Sequence, residues 1–119
     1  MLAYDFYDDA DVAANRRSDE LAAFAIVDAK LKAVAGAEAK VAAVDAAYHA
    51  RILWAALISD LGQDDNALDP ALRASLISVG LRMLDCAERL REGDLTAADE
   101  IADVGRIVSQ GLTPREMAA

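Results

Sequence analysis

The chain has one histidine, one cysteine and two prolines in 119 residues. Cys86 has no second thiol with which to close an internal disulfide, and no histidine stands at a zinc-ligand spacing from it, so it reads as a small buried apolar residue. His49 lies between Tyr48 and Ala50-Arg51 in a helical stretch, which leaves a Ser/His/Asp or Cys/His device without its other members. A partly exposed histidine paired with Asp45, one turn earlier, is expected instead. No glycine-rich phosphate loop, Cys-x-x-Cys pair or nucleophile elbow occurs. The acidic run Asp60, Asp64, Asp65 and Asp69 lacks the alternation, central glycine and closing glutamate of a calcium loop. The expectation is a non-enzyme with no metal and no cofactor. Basic residues are also scarce: 12 Lys+Arg stand against 21 Asp+Glu, a net charge of -9, with no basic cluster longer than Arg16-Arg17. Direct nucleic-acid binding, which draws on Lys and Arg against phosphate, is disfavoured. Uncharged apolar runs such as Ile52 to Ser59 and Ala74 to Leu81 are far shorter than the roughly 20 residues of a membrane helix. No basic segment followed by a long apolar one opens the chain, so no membrane partner and a cytoplasmic location are expected.

Alanine is abundant, at 28 positions, and hydrophobic residues make up 55% of the chain. With only six glycines this favours helix, and the length suits one domain. The reading is all-α: a small four-helix bundle-like domain over 18–112, preceded by an acidic and aromatic N-terminal arm over 1–17 and followed by a tail over 113–119. Helix A is expected at about 18–35, helix B at 38–61, helix C at 70–91 and helix D at 97–112. Gly36, Gly62, Gly93 and Gly111 mark the breaks, and Asp69 before Pro70 is a strong start signal. Thr96 with Asp99 three residues later is a weaker capping-box variant.

Helix A sets Leu21, Phe24, Val27, Leu31 and Val34 on one stripe. The second half of helix B, Ile52 to Ile58, is apolar all round and belongs at the centre. Helix C carries a core stripe of Leu72, Leu76, Val79, Met83, Cys86 and Leu90, and a second stripe of Ile77, Leu81 and Leu84 that needs another neighbour. Helix D shows Ala98, Ile101, Gly105, Val108 and Leu112 on one side. Gly80 and Gly105, both mid-helix, either permit close helix approach or are tolerated defects. In the arm, Leu2, Tyr4, Phe6 and Tyr7 supply three of the six aromatics among Asp5, Asp8, Asp9 and Asp11. The arm reads either as a lid on the bundle or as a segment that folds on a partner.

The run Ala47-Tyr48-His49-Ala50-Arg51-Ile52-Leu53-Trp54, then Leu57, Asp60-Leu61, Asn66-Ala67-Leu68 and Pro70 to Leu81, resembles the FlaF family of bacterial flagellar biosynthesis regulators. The order continues to Ile107-Val108-Ser109-Gln110-Gly111-Leu112, so the resemblance covers about 47–112. Arg16 to Leu21 also looks like the family's opening of the first helix. Ile52, Arg82 and Gly105 depart from the family's usual residues, and Pro70 does not keep its usual place. The resemblance implies a helical cytoplasmic protein that binds flagellin as a secretion chaperone and promotes its synthesis and export, acting with the translation regulator FlbT. A helix-in-groove mode would suit such a client. Leu53, Trp54, Leu57, Ile77, Leu81 and Leu84 are the candidates for that groove, with Arg51 and Arg73 at its rim. The competing readings are a self-associating helical adaptor, pairing through the second stripe of helix C, and an RNA-binding regulator of flagellin mRNA using Arg73, Arg82, Arg89 and Arg91.

Overall fold

The computed structural model describes residues 9–111, with side chains from residue 18 onward. The described chain runs α1 (Asp9–Lys32), a 3-10 turn (Gly36–Glu38), α2 (Ala39–Leu61), α3 (Pro70–Arg91) and α4 (Ala97–Gly111). Each helix packs on its neighbours in the sequence and α1 closes the ring against α4, with the α2–α3 pair the most extensive. This is an all-α, bundle-like fold.

Local chemistry accounts for most of the boundaries. Gly36 and Gly93 are the two described residues with positive φ, +73° and +109°, which only glycine adopts without strain. Gly36 turns the chain from α1 into α2. Gly93 ends α3, and the Asp94 N–H reaches back to the Arg89 carbonyl at 2.9 Å. The Asp69 carboxylate caps α3, accepting from the N–H groups of Ala71 at 3.1 Å and Leu72 at 3.4 Å, ahead of Pro70 at the first helical position. Before α4, the Asp94 carboxylate accepts from both the N–H and the hydroxyl of Thr96, at 3.2 and 2.6 Å. Asp94 thus organises the turn that Thr96 and Asp99 were expected to form.

One boundary differs substantially from expectation. α1 begins at Asp9, so residues 9–17, read from the sequence as arm, continue the first helix. The stretch contains no glycine or proline and has alanine at 10, 13 and 14, so nothing in it interrupts helical hydrogen bonding. Leu2, Tyr4, Phe6, Tyr7, Leu112 and the tail lie outside the described residues.

The core is built from Phe24, Val27 and Leu31 of α1, Ala43, Ala46, Ala47, Ala50, Leu53 and Trp54 of α2, Met83, Cys86, Ala87 and Leu90 of α3, and Ala97, Ala98 and Ile101 of α4. Four buried alanines give α2 a flat inner face on which neighbouring helices can close tightly. Gly80 on α3 meets this helix at Ile58 and Trp54. With its leading turn, the helical segment Gly36–Leu61 is long and apolar enough to cross a membrane by length and composition, which the short uninterrupted runs did not anticipate. In the fold it packs between α1 and α3.

Polar contacts clamp the periphery. Lys30 donates to Asp45 at 2.7 Å, tying α1 to α2, and Asp45 is held below its usual pKa chiefly by that bond. His49 Nδ1 lies 2.9 Å from the Asp45 carbonyl oxygen, the local pairing the spacing foretold. Arg82 Nε donates to Glu100 at 2.5 Å, tying α3 to α4.

Candidate functional site

On α4, Ala98, Ala102, Gly105 and Ser109 recur at spacings of four, three and four, so one face of the helix carries only small side chains. Ala102, Gly105 and Ser109 look onto α1. A Cβ added to Gly105 would stand 3.7 Å from the Phe24 ring, in ordinary contact, so the helices are spaced wider there than the small residues require. The result is an open cleft of about 330 Å³ between α1 and α4. Leu21, Phe24, Val27 and Leu31 form one wall, Ile101, Ala102, Gly105 and Ser109 the other, and Leu53 and Trp54 of α2 the floor.

The cleft is apolar within and charged at its mouth. Phe24 meets the Trp54 indole edge-on, with ring centroids 5.8 Å apart and planes at 87°. Trp54 is only 3% exposed, and its indole N–H finds no acceptor among the described residues. An unmet buried donor of this kind costs about 1–3 kcal/mol. Asp28 with Lys32 on α1, at 2.9 Å, and Asp103 with Arg106 on α4, at 3.8 Å, pair across single helical turns at the rim. The mouth therefore offers both signs of charge on each side.

The groove expected between helices B and C is closed. Ile58 and Trp54 pack directly against Gly80 of α3, leaving no channel between the two helices at that level. Leu53 and Trp54 point into the core and reach the α1–α4 cleft instead. Leu57 and Leu84 are half-buried against the core and Ile77 is half-buried, whereas Leu81 is 56% exposed. Of the two expected rim arginines, Arg51 is exposed and acts electrostatically on Glu88 of α3. Arg73 is a structural tie: its Nε donates to the Leu61 carbonyl and its Nη2 to the Gln63 carbonyl, each at 3.0 Å, which pins the α2–α3 connection.

The four arginines that might have gathered into a basic patch are otherwise engaged. Arg73 holds backbone carbonyls, Arg82 pairs with Glu100, Arg89 lies near Asp85, Asp94 and Glu100, and Arg91 forks onto Glu88. Each partner lowers the positive potential available to a phosphate chain.

A second surface was missed by the sequence reading. Val41, Val44, Tyr48 and Ile52 are exposed on α2, with Ala55 continuing the row. At 100° per residue these five fall within about 80° of the helix circumference, on the side away from the buried alanines. Only the second half of helix B was read as apolar all round, and most of this row lies in the first half, on the side that does not face the core.

No curated protein and no solved structure matches the chain. The family model of the flagellar protein FlaF matches residues 3–112, reaching well upstream of the segment in which the resemblance was first legible, and the chain belongs to that family.

Proposed function

We propose that this flagellar protein is a non-catalytic, cytoplasmic chaperone that binds flagellin through the α1–α4 cleft and so promotes flagellin synthesis and export. The observation that carries the reading is the cleft itself: an open apolar trough between two helices, floored by an aromatic pair and rimmed by charges of both signs. Such a trough takes the apolar side chains of an amphipathic helix, while the rim pairs with that helix's polar flanks. Flagellin subunits assemble through terminal helices that are unpartnered before assembly, and these are the natural occupants. Withholding the subunit from assembly gives a route by which binding acts on translation, in concert with the regulator FlbT.

The test is calorimetry of the full chain against monomeric flagellin, intact and with either terminal helical segment deleted, under conditions that block filament growth. Binding lost with one segment identifies the client helix. Gly105→Leu, which fills the cleft from α4, is expected to abolish that binding without lowering the melting temperature, whereas Leu81→Ala on α3 leaves binding intact. Binding that survives Gly105→Leu moves the client off the cleft, and no binding to any form refutes the chaperone reading.

A further inference from the structure

We infer that the α1–α4 cleft selects its occupant by charge order: an amphipathic helix with acidic side chains at the two ends of the contact and basic ones between them. This rests on the proposal that the cleft takes such a helix, and adds which helix it takes. Contacts between the helices fix the order of charges at the mouth. Lys30 meets Asp45 and Phe24 meets Trp54, so α1 and α2 run antiparallel. Gly80 stands against Ile58 and Arg73 donates to the Leu61 carbonyl, so α2 and α3 do too. Arg82 pairs with Glu100 and Arg89 lies near Asp94, which reverses the direction once more. Three reversals set α4 antiparallel to α1, with Gly105 level with Phe24. At equal rise per residue, Arg106 then stands level with Ala23 and Asp103 level with Ile26, ahead of Asp28 and Lys32 on the facing wall. From the Leu21 end to the Leu31 end the mouth therefore reads basic, acidic, acidic, basic over about 13 Å, some two and a half helical turns. Asp99, exposed one turn before Asp103, adds a third carboxylate away from the ends.

These charges are placed to act on an occupant. The side chains of Asp28, Lys32, Asp103 and Arg106 are between 42% and 75% exposed, and pairs this exposed hold each other only weakly in water. A helix seated in the trough displaces water from the mouth, and the lower dielectric strengthens each charge contact made across it. An occupant that is acidic at the ends and basic in the middle gives every rim charge a second partner of opposite sign. The reverse order sets like charges together at all four positions, which is how an interface rejects the wrong partner. On each wall the cation lies toward an end and the carboxylate toward the middle, so the same order suits a helix lying in either direction. Charge order is thus the property selected. The chain's net charge of -9 attracts any basic partner from a distance, so a probe of order must carry no net charge.

Two synthetic amphipathic peptides of identical composition test it against the full chain. They share one leucine stripe, and their polar flanks read Glu-Lys-Lys-Glu in one and Lys-Glu-Glu-Lys in the other along the contact, so both are neutral. Calorimetry at low salt should find the first bound about tenfold more tightly, and the ratio should fall toward one in about 1 M salt, where screening is nearly complete. Gly105→Leu should abolish binding of both, which places them in the cleft. The combined variant Asp28→Lys, Lys32→Glu, Asp103→Arg and Arg106→Asp inverts the rim and should invert the preference. Equal affinities at low salt overturn the inference, as does tighter binding of the Lys-Glu-Glu-Lys peptide or no binding of either. A preference that survives rim inversion overturns it by placing the discrimination elsewhere. Discrimination between the peptides without any binding of flagellin supports the charge order while refuting flagellin as the client.

Discussion

Gly80 offers the sharpest test of the packing. A Cβ at this position would lie 2.6 Å from Ile58 Cγ1 and 2.9 Å from its Cδ1, with Trp54 Cε3 at 3.6 Å. Ordinary carbon contacts fall near 3.5–4.0 Å, so Gly80→Ala forces Ile58 to move. Two effects oppose each other. Alanine gains about 1 kcal/mol of helix propensity over glycine, and overpacking costs about 1–3 kcal/mol. The closer clash is with a mid-chain atom rather than a free tip, so the steric term wins and Gly80→Ala should destabilise by about 1 kcal/mol. With Ile58→Ala the obstruction is gone, and the same substitution should stabilise by up to about 1 kcal/mol. The four proteins form a double-mutant cycle, read by urea unfolding and far-UV circular dichroism with unchanged m values. The expected coupling is about 1–3 kcal/mol. Gly105→Ala is the control: its Cβ has room against Phe24, so it should stabilise by about 0.5–1 kcal/mol. If Gly80→Ala stabilises equally in both backgrounds, the close α2–α3 approach is refuted.

Three further outcomes follow from particular contacts. Asp69→Ala removes the acceptor for two α3 N–H groups and should cost about 1 kcal/mol in urea unfolding, most of it restored by Asp69→Asn. Glu100 is held below the usual 4.5 chiefly by the hydrogen bond from Arg82, so its ionised form stabilises the fold above that unfolded-state value, and the contribution is lost as pH falls through the lower folded-state value. The difference in melting temperature between wild type and Glu100→Gln should therefore be present at neutral pH and close on acidification below 4.5; a difference that is constant with pH would contradict this. Burial pushes the Cys86 thiol above its usual pKa, with Arg89 Nη2 on the sulfur at 3.1 Å. Mass spectrometry should find Cys86 unmodified by a maleimide in the folded protein and fully modified in urea.

What the sequence disclosed depended on whether it carried punctuation or periodicity. Asp69-Pro70 and Gly93 bracket α3 because each performs a local backbone task that few other residues perform. The start of α1 has no such mark, and alanine carries the helix through residues 9–17, which the acids beside them had suggested were part of an arm. The second half of helix B was legible as central but not in orientation: where Ile52 to Ile58 is apolar on every side there is no period to read. The fold turned the alanines at 43, 46, 47 and 50 inward and left larger Val41, Val44, Tyr48 and Ile52 outside, because small residues let neighbouring helices approach. The same property misdirected the expected groove. Gly80 draws α2 and α3 together and closes it, while the small residues of α4 leave space beside Phe24. The 98, 102, 105, 109 spacing was the available signal for that cleft.

The two surfaces face away from each other, and this makes their roles separable. The cleft opens between α1 and α4 and reaches α2 only at Leu53 and Trp54, whereas Tyr48 and Ile52 lie on the opposite side of that helix. Each chain carries one such cleft and should take up one client. Calorimetry should give one flagellin per chain for wild type and for Tyr48→Glu, on the outer face of α2, alike, with Gly105→Leu abolishing uptake. Trp54, the sole tryptophan, supplies an independent reading: client uptake should shift its emission in wild type and in Tyr48→Glu alike. Uptake lost in Tyr48→Glu would place the client on the outer face of α2 and refute the separation argued from that helix.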